Sequence, residues 1–306
     1  MKTINANELS PLQLQNYLQY AIAPRPIALV STVDSHGNVN LSPFSFFNLF
    51  SVNPPLCVFS PSRRVRDNTT KHTLDNLREV PQCVIQVVTP DMLHQTSLSS
   101  CEYDKAQNEF VKAGFTALPS ELVKPPRVAE SPVQLECMVT QIIETGDGPG
   151  AGNLVLAEIK KIHVSEAVLS SEGNGIDQTK IQLAARLGGD WYCEIRPENL
   201  FKVPKPNVAL GIGVDKLPEF IIQSDYLSKN DLARLANIEV IPDADIIEKL
   251  KVEYQSLIAG FSNADLDSGV EARFWAEVQK LIRKDEINKT WALLLSCQEC
   301  LTVSKI

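Results

Sequence analysis

The chain lacks a basic surplus, a long apolar run and a cluster of metal-binding side chains, and each lack removes a class of function. Lys and Arg total 29 against 37 Asp and Glu, a formal net charge of −8. Nucleic-acid binding calls for a clustered basic surface, so no nucleic-acid partner is expected. No window approaches about eighteen consecutive apolar residues, so no membrane span is expected. The first ten residues, Met1 to Ser10, have no apolar core of the kind a secretory signal carries. Histidine is scarce: His36, His72, His94 and His163 show no metal-ligand spacing, and no metal site is expected. The seven cysteines are odd in number and scattered, which fits reduced thiols in a cytoplasmic protein.

Motifs of other enzyme classes are also missing. There is no G-x-S-x-G elbow, so serine hydrolysis is not expected. Gly211-Ile212-Gly213 lacks the third glycine of a dinucleotide fingerprint and reads as a turn. The glycine-rich stretch from Gly146 to Gly152 lies between two strand-like runs, and Pro149 removes an amide donor, so it reads as a hairpin connection. Without a dinucleotide-binding unit, a nicotinamide cofactor would have to bind transiently. Cys297-Gln298-Glu299-Cys300 is a single CxxC with no second pair and no nearby His, which reads as structural thiols.

What the sequence does contain is β-rich for its first two-thirds. Apolar content of 44% and charged content of 22% are ordinary for a globular protein. Pro26–Val33, Leu56–Ser60, Cys83–Val88, Val133–Glu144 and Leu154–Val164 read as strands. Three helical patches interrupt them. One starts at Ser10-Pro11, with Ser10 as N-cap; one runs from about Thr70 to Glu79; one starts near Pro90. Many strands without regular βα alternation predict an antiparallel barrel.

After Val203–Asn207 the texture turns helical. Ile246, Ile247, Leu250, Tyr254, Leu257 and Ile258 repeat at helical spacing, as do Val270, Phe274, Trp275, Val278, Leu281 and Ile282. Asp243 and either Asp265 or Asp267 are the expected N-caps.

Two segments carry chemistry. Pro24–Asn48 reads as a strand, a tight turn at Ser35-His36-Gly37-Asn38, where Gly37 and Asn38 can take positive φ, and a second run. That run ends in Ser42-Pro43-Phe44-Ser45-Phe46-Phe47-Asn48, where hydroxyls and backbone amides alternate with phenyl rings. The mixture suits a flat, partly polar heterocycle, whose edge needs hydrogen bonds and whose faces need apolar cover. The alternative is a barrel strand with an aromatic inner face.

The second segment, Phe59–Thr73, holds four cations and five hydroxyls between a strand and a helix. Thr69 or Thr70 is expected to cap that helix, with Lys71, His72 and Thr73 in its first turn. Free amides, the positive end of the helix dipole and a lysine together make a dianion site. The alternative is a solvated basic loop.

The chain resembles the flavin-reductase-like proteins with an FMN-binding split β-barrel, over roughly Ile22 to Pro197. The matching pieces, in order, are Arg25–Thr32, Gly37–Asn48, Pro54-Pro55-Leu56, Lys71-His72-Thr73 with Asn76-Leu77, Pro126-Arg127-Val128 with Ser131–Cys137, and Arg186-Leu187-Gly188-Gly189. The helical spacing makes residues 207–306 a mostly helical extension, and the resemblance implies a mainly β fold, a split-barrel domain over residues 1–202 with peripheral helices. It implies bound FMN, with Ser42, Pro43, Phe44, Ser45, Phe46 and Phe47 along the ring and ribityl chain. Ser60, Ser62, Arg64, Lys71 and Thr73 would hold the phosphate, and Arg186 would approach from the far side or from a second subunit. The family usually has Asp between the lysine and the threonine; His72 stands there, and an imidazole can itself donate a hydrogen bond. A homodimer is implied as well.

The expected function is an FMN-dependent oxidoreductase, NAD(P)H:flavin reductase-like, in which NAD(P)H is a transient co-substrate and electrons pass to free flavin or another acceptor. Such chemistry needs orientation and ring polarisation more than protein acids and bases, so no catalytic side chain is assigned. One alternative is an FMN electron carrier for an electron-acceptor protein. Another is a non-enzymatic flavin-binding scaffold whose helical extension is a docking module, if its apolar stripes are not simply core.

Overall fold

The computed structural model describes residues 1–105, 107–203, 210–263, 268–298 and 301. Two compact units divide the chain, Met1–Phe201 and Lys202–Ile306. Val203 excepted, the expected linker Val203–Asn207 lies outside the described residues, as do the caps Asp265 and Asp267 and half of the CxxC.

The first unit carries twelve strands: β1 (Arg25–Pro26), β2 (Ala28–Val33), β3 (Val39–Phe44), β4 (Phe47–Val52), β5 (Pro55–Phe59), β6 (Gln82–Val87), β7 (Ala117–Leu118), β8 (Arg127–Val128), β9 (Val133–Glu144), β10 (Asn153–Val164), β11 (Leu183–Arg186) and β12 (Tyr192–Ile195). Its helices are α1 (Pro11–Ala21), α2 (His72–Glu79), α3 (Leu93–Leu98) and α4 (Glu109–Ala113). Seven strands form one antiparallel sheet in the order β3-β2-β6-β9-β10-β5-β4, and β1-β11-β12 form a second sheet.

The large sheet rolls up on itself. Phe44 on β3 and Phe59 on β5 lie five strand steps apart, roughly 24 Å in a flat sheet. Their ring centroids are 5.5 Å apart. One core therefore fills the interior, with Ala28, Val30, Phe44, Phe59, Ile85 and Val155 all buried in it. A second core lies outside β2, where Ile27 and Leu29 meet Leu41, Met92 and Phe110. Strand β2 is thus buried on both faces, all six residues of it, the polar Ser31 and Thr32 included, which is why its sequence shows no alternation of apolar and polar residues. Cys57 sits in the interior core, where burial and the neighbouring Cys137 push its thiol up to about 12. Such thiols are inert at neutral pH.

Local signals explain most of the boundaries. Ser10 caps α1 in a full capping box with Gln13, and Pro11 is its first residue. The stretch from Gly146 to Gly152 joins β9 to β10, which pair antiparallel. The β2–β3 turn is longer than expected: Val33 pairs with Val39, and of the two residues read as φ-positive only Gly37 is, at φ 86°. The Asp34 carboxylate instead accepts from the amides of His36 (3.0 Å) and Asn38 (2.8 Å), which holds Asn38 without a left-handed backbone.

The second unit is helical: α5 (Glu219–Ile222), α6 (Lys229–Ala236), α7 (Ala244–Lys251), α8 (Gln255–Asn263), α9 (Ser268–Arg283) and α10 (Ile287–Ser296). Asp243 caps α7, accepting from the Ile246 amide at 2.9 Å. Phe274, Trp275, Val278, Leu281 and Ile282 are buried around Trp291 in this unit's own core, so the α9 stripe is core rather than a docking face. The Trp291 indole donates to the Leu235 carbonyl at 3.1 Å, tying α10 to α6. Among the described residues, no helix is long and apolar enough to cross a membrane.

Candidate functional site

The loop between β5 and α2 is held by its own arginines. Arg63 donates to the Asn68 side chain at 2.7 Å and to its carbonyl at 2.5 Å, stabilising a left-handed Asn68 at φ 58°. Arg64 donates to the Thr69 hydroxyl at 2.8 Å, to the Thr70 carbonyl, and to Glu102 at 2.9 Å. Arg66 is exposed and pairs with Asp67 and Glu102.

Helix α2 starts one residue later than the sequence suggests. Lys71, not Thr69 or Thr70, occupies the N-cap position, and no side chain caps it. The reason is competition. The Thr69 hydroxyl bonds Asp67 at 2.6 Å, and the Thr70 hydroxyl bonds the Asp75 carboxylate at 3.0 Å. Both hydroxyls are drawn to carboxylates, and neither accepts from an amide of the first turn. The amides of His72 and Thr73 consequently have no partner among the described residues.

His72 and Thr73 line a small polar cleft. Asn40 and Ser42 of β3, Arg64, Lys71 and the first turn of α2 line it, together with the Ser99–Tyr103 segment and Glu109. Thr73 is buried, and its hydroxyl accepts from the Asn40 side chain at 2.9 Å, which leaves its proton to donate elsewhere. The Lys71 ammonium is half-buried and has no hydrogen bond or ion pair among the described residues. Burial, then the Arg64 charge, lowers its pKa, while Glu102 opposes this. Burial and Arg64 likewise hold the His72 imidazole below its ordinary value, so it is neutral at neutral pH. An unpaired lysine beside free helix-start amides is the donor set of a dianion site.

From Ser42 the chain runs to Ser45, at most roughly 10 Å further on. There a second centre forms around Arg25, which is 7% exposed. Its guanidinium donates to the carbonyls of Gln19 (2.6 Å), Ile22 (2.9 Å) and Leu187 (2.9 Å) and to the Ser45 hydroxyl at 3.4 Å. It lies 5.9 Å from the centroid of the Phe46 ring, which is half-exposed. Arg25 also pairs with Arg186 in the β1–β11 ladder. The Arg186 side chain turns to Tyr192 and to the Gly189 carbonyl.

The sequence-derived residues therefore separate into groups. Ser42, Arg64, Lys71 and Thr73 share the polar cleft. Ser45 and Phe46 gather at Arg25, with Arg186 beside it in the ladder, while Phe47 packs partly against the interior core. Pro43 pairs with Leu29 on the sheet's edge strand, where a missing amide costs no ladder bond. The Phe44 ring is committed to the core. Ser60 is buried and accepts from the Asn153 amide at 3.0 Å; neither it nor Ser62 lines the cleft.

Sequence reasoning assigned no role to Arg25, Asn40, Glu102 or Glu109. Only Arg25 carried a local signal, as a cation flanked by prolines at the head of an apolar strand. The others reach the cleft through tertiary contacts alone.

Residues 20–175 match the model of the family described as flavin reductase like domain. An uncharacterized protein of Halalkalibacterium halodurans is 34% identical over 208 residues, spanning 67% of this chain and 97% of its own length. Two solved structures are similar. Nitrilotriacetate monooxygenase component B from Bacillus cereus is 27% identical with a TM-score of 0.62, covering 66% of this chain and 98% of its own. The 2-nitrobenzoate 2-nitroreductase of Pseudomonas fluorescens is 28% identical with a TM-score of 0.59, covering 66% and 96%.

Proposed function

The chain belongs to the flavin reductase like domain family, a family of flavin-related oxidoreductases with a split-barrel fold, and on that premise we propose that it is an FMN-dependent NAD(P)H oxidoreductase. Electrons would pass from NAD(P)H to free flavin or another acceptor. The observation that supports this most is the half-buried, unpaired Lys71 beside the free amides of His72 and Thr73, in a cleft that Ser42 also lines. That donor set fits a phosphate dianion, and the Ser42–Phe47 ribbon leads away from it.

Bound FMN would supply the hydride-accepting chemistry that the protein's own side chains lack. Lys71, Thr73, Ser42 and Arg64 would hold its phosphate. Ser45 would hydrogen-bond the ring edge, while Phe46 and Phe47 cover an apolar face. Arg25, locked by backbone carbonyls, keeps a positive charge at that end and so favours negative charge developing nearby. Ser60 and Ser62 would shape the loop behind the phosphate rather than touch it.

A second copy of the chain is part of this reading. Leu49, Phe50 and Val52 are exposed on β4, an edge strand of the large sheet, and edge strands with apolar side chains call for cover. Light scattering of the flavin-loaded protein should give a dimer mass.

The test is anaerobic addition of NADH and NADPH to FMN-loaded protein, followed at the flavin absorbance. Bleaching by either nucleotide supports the reductase. A spectrum unchanged until an acceptor protein is added would make the chain an electron carrier instead.

A further inference from the structure

The phosphate cleft contains its own competitor for the cations. Glu102 comes from the segment after α3, not from the arginine loop, and it bridges two of that loop's three arginines, Arg64 and Arg66. One carboxylate oxygen accepts from Arg64 at 2.9 Å and the other from Arg66 at 2.6 Å. Arg64 does not need this contact to be held, because it already donates to the Thr69 hydroxyl and the Thr70 carbonyl. Arg66 has Asp67 as a second partner.

The charge balance is equally pointed. Arg64 and Lys71 are the full cations lining the cleft, and Glu102 and Glu109 are its carboxylates. His72 is held neutral by burial and Arg64. Glu109 is spoken for, buried with a carboxylate oxygen on the Leu41 amide at 2.9 Å. Glu102 is different: its side chain is 44% exposed and that of Arg66 73%. The exposed Glu102–Arg66 pair is therefore weak and exchanges readily, while Arg64, whose side chain is 15% exposed, is the more sheltered partner. The field of Glu102 also reaches Lys71.

We propose that Glu102 is a built-in counter-anion of this cleft, a specificity-determining residue that competes with the ligand's phosphate for Arg64. It thereby sets how strongly the site prefers a phosphate-bearing flavin over the phosphate-free one. The inference rests on the flavin reading above. Removing the charge turns a cleft whose lining charges cancel into one with a net positive charge, which favours a dianion and leaves a neutral ligand unaffected.

The experiment is titration of wild-type protein and Glu102→Gln with FMN and with riboflavin, followed by flavin fluorescence quenching. The variant should bind FMN about tenfold tighter, about 1.4 kcal/mol, with riboflavin affinity unchanged. Inorganic phosphate should compete against FMN more strongly in the variant. Glu102→Asp keeps the charge on a shorter arm that cannot bridge both arginines, and should fall between the two. Circular dichroism checks that each variant is folded; if Glu102→Gln is not, the Glu102→Asp shift decides. An unchanged ratio of FMN to riboflavin affinity overturns the proposal, as does a loss of FMN affinity, which would make Glu102 a support for the arginines. Wild-type protein that binds neither flavin removes the flavin reading itself. Wild-type protein that prefers FMN, with no change of ratio in the variants, removes only the role of Glu102.

Discussion

At the scale of single residues, two cations do opposite jobs. Lys71 has no partner among the described residues, whereas Arg25 is surrounded by acceptors. Lys71→Ala should weaken FMN binding by about 1.5–3 kcal/mol, the worth of a charge-assisted hydrogen bond, and leave thermal stability nearly unchanged. Arg25→Ala should instead destabilise the fold by about 1–3 kcal/mol, since it removes a buried donor from the part-buried carbonyls of Gln19, Ile22 and Leu187. Arg25→Lys should not restore it, because an ammonium cannot reproduce the guanidinium fork. Thermal melts beside FMN titrations separate the two effects. Lys71 was legible in the sequence because a lysine at a strand-to-helix junction is locally anomalous. The role of Arg25 was not, because its partner Leu187 lies 162 residues away.

Glu136 is a carboxylate fully buried on β9. Burial raises its pKa, but bonds from the amides of Glu121, Leu122 and Val123 and from His163 outweigh that, leaving it lowered. A lowered carboxyl stabilises the fold above the ordinary carboxylate range and loses that contribution as pH falls through its depressed value. Glu136→Gln should therefore cost about 1–3 kcal/mol at neutral pH. The gap from wild type should shrink in melts at acid pH, and a gap that widened would contradict this assignment.

At the scale of elements, strands with buried side chains were readable whether short or long: the runs read as Pro26–Val33, Leu56–Ser60 and Cys83–Val88 overlie β2, β5 and β6. The runs read as Val133–Glu144 and Leu154–Val164 are β9 and β10 to within a residue, because their burial alternates or runs continuously over many positions. Strand β4, Phe-Asn-Leu-Phe-Ser-Val, escaped notice because its side chains are mostly exposed and follow no burial period. The α2 start was misplaced by the local hydroxyl–carboxylate pairs of Thr69 and Thr70, which outcompete capping. Helix α1 gives a test at this scale. It buries no residue, and its Tyr20 ring lies over Gly188, where an added Cβ would come within 2.3 Å. Gly188→Ala should push Tyr20 and α1 outward. Limited proteolysis should then cut sooner near the N-terminus, with little change in the main unfolding transition.

At the scale of the whole molecule, each unit has its own hydrophobic core. The change of texture after residue 203 foreshadowed this, and helical spacing alone could not tell core from docking face. Buried Phe274, Trp275 and Trp291 answer that for α9 and α10. All the proposed flavin contacts fall in the first unit, so a chain ending at residue 202 should fold and bind FMN within about twofold of the full-length protein. A truncated chain that is soluble yet fails to bind flavin would assign the helical unit a part in the site.

The central claim is that one cleft, opened by Lys71 at the start of α2, holds the phosphate of a flavin whose ring lies along Ser45 and Phe46. Its most direct test is gel filtration of wild-type and Lys71→Ala protein after incubation with FMN, with detection at the flavin absorbance. Flavin should co-elute with the wild type and be largely lost from the variant. Colourless wild-type protein, or equal retention by both, would contradict it.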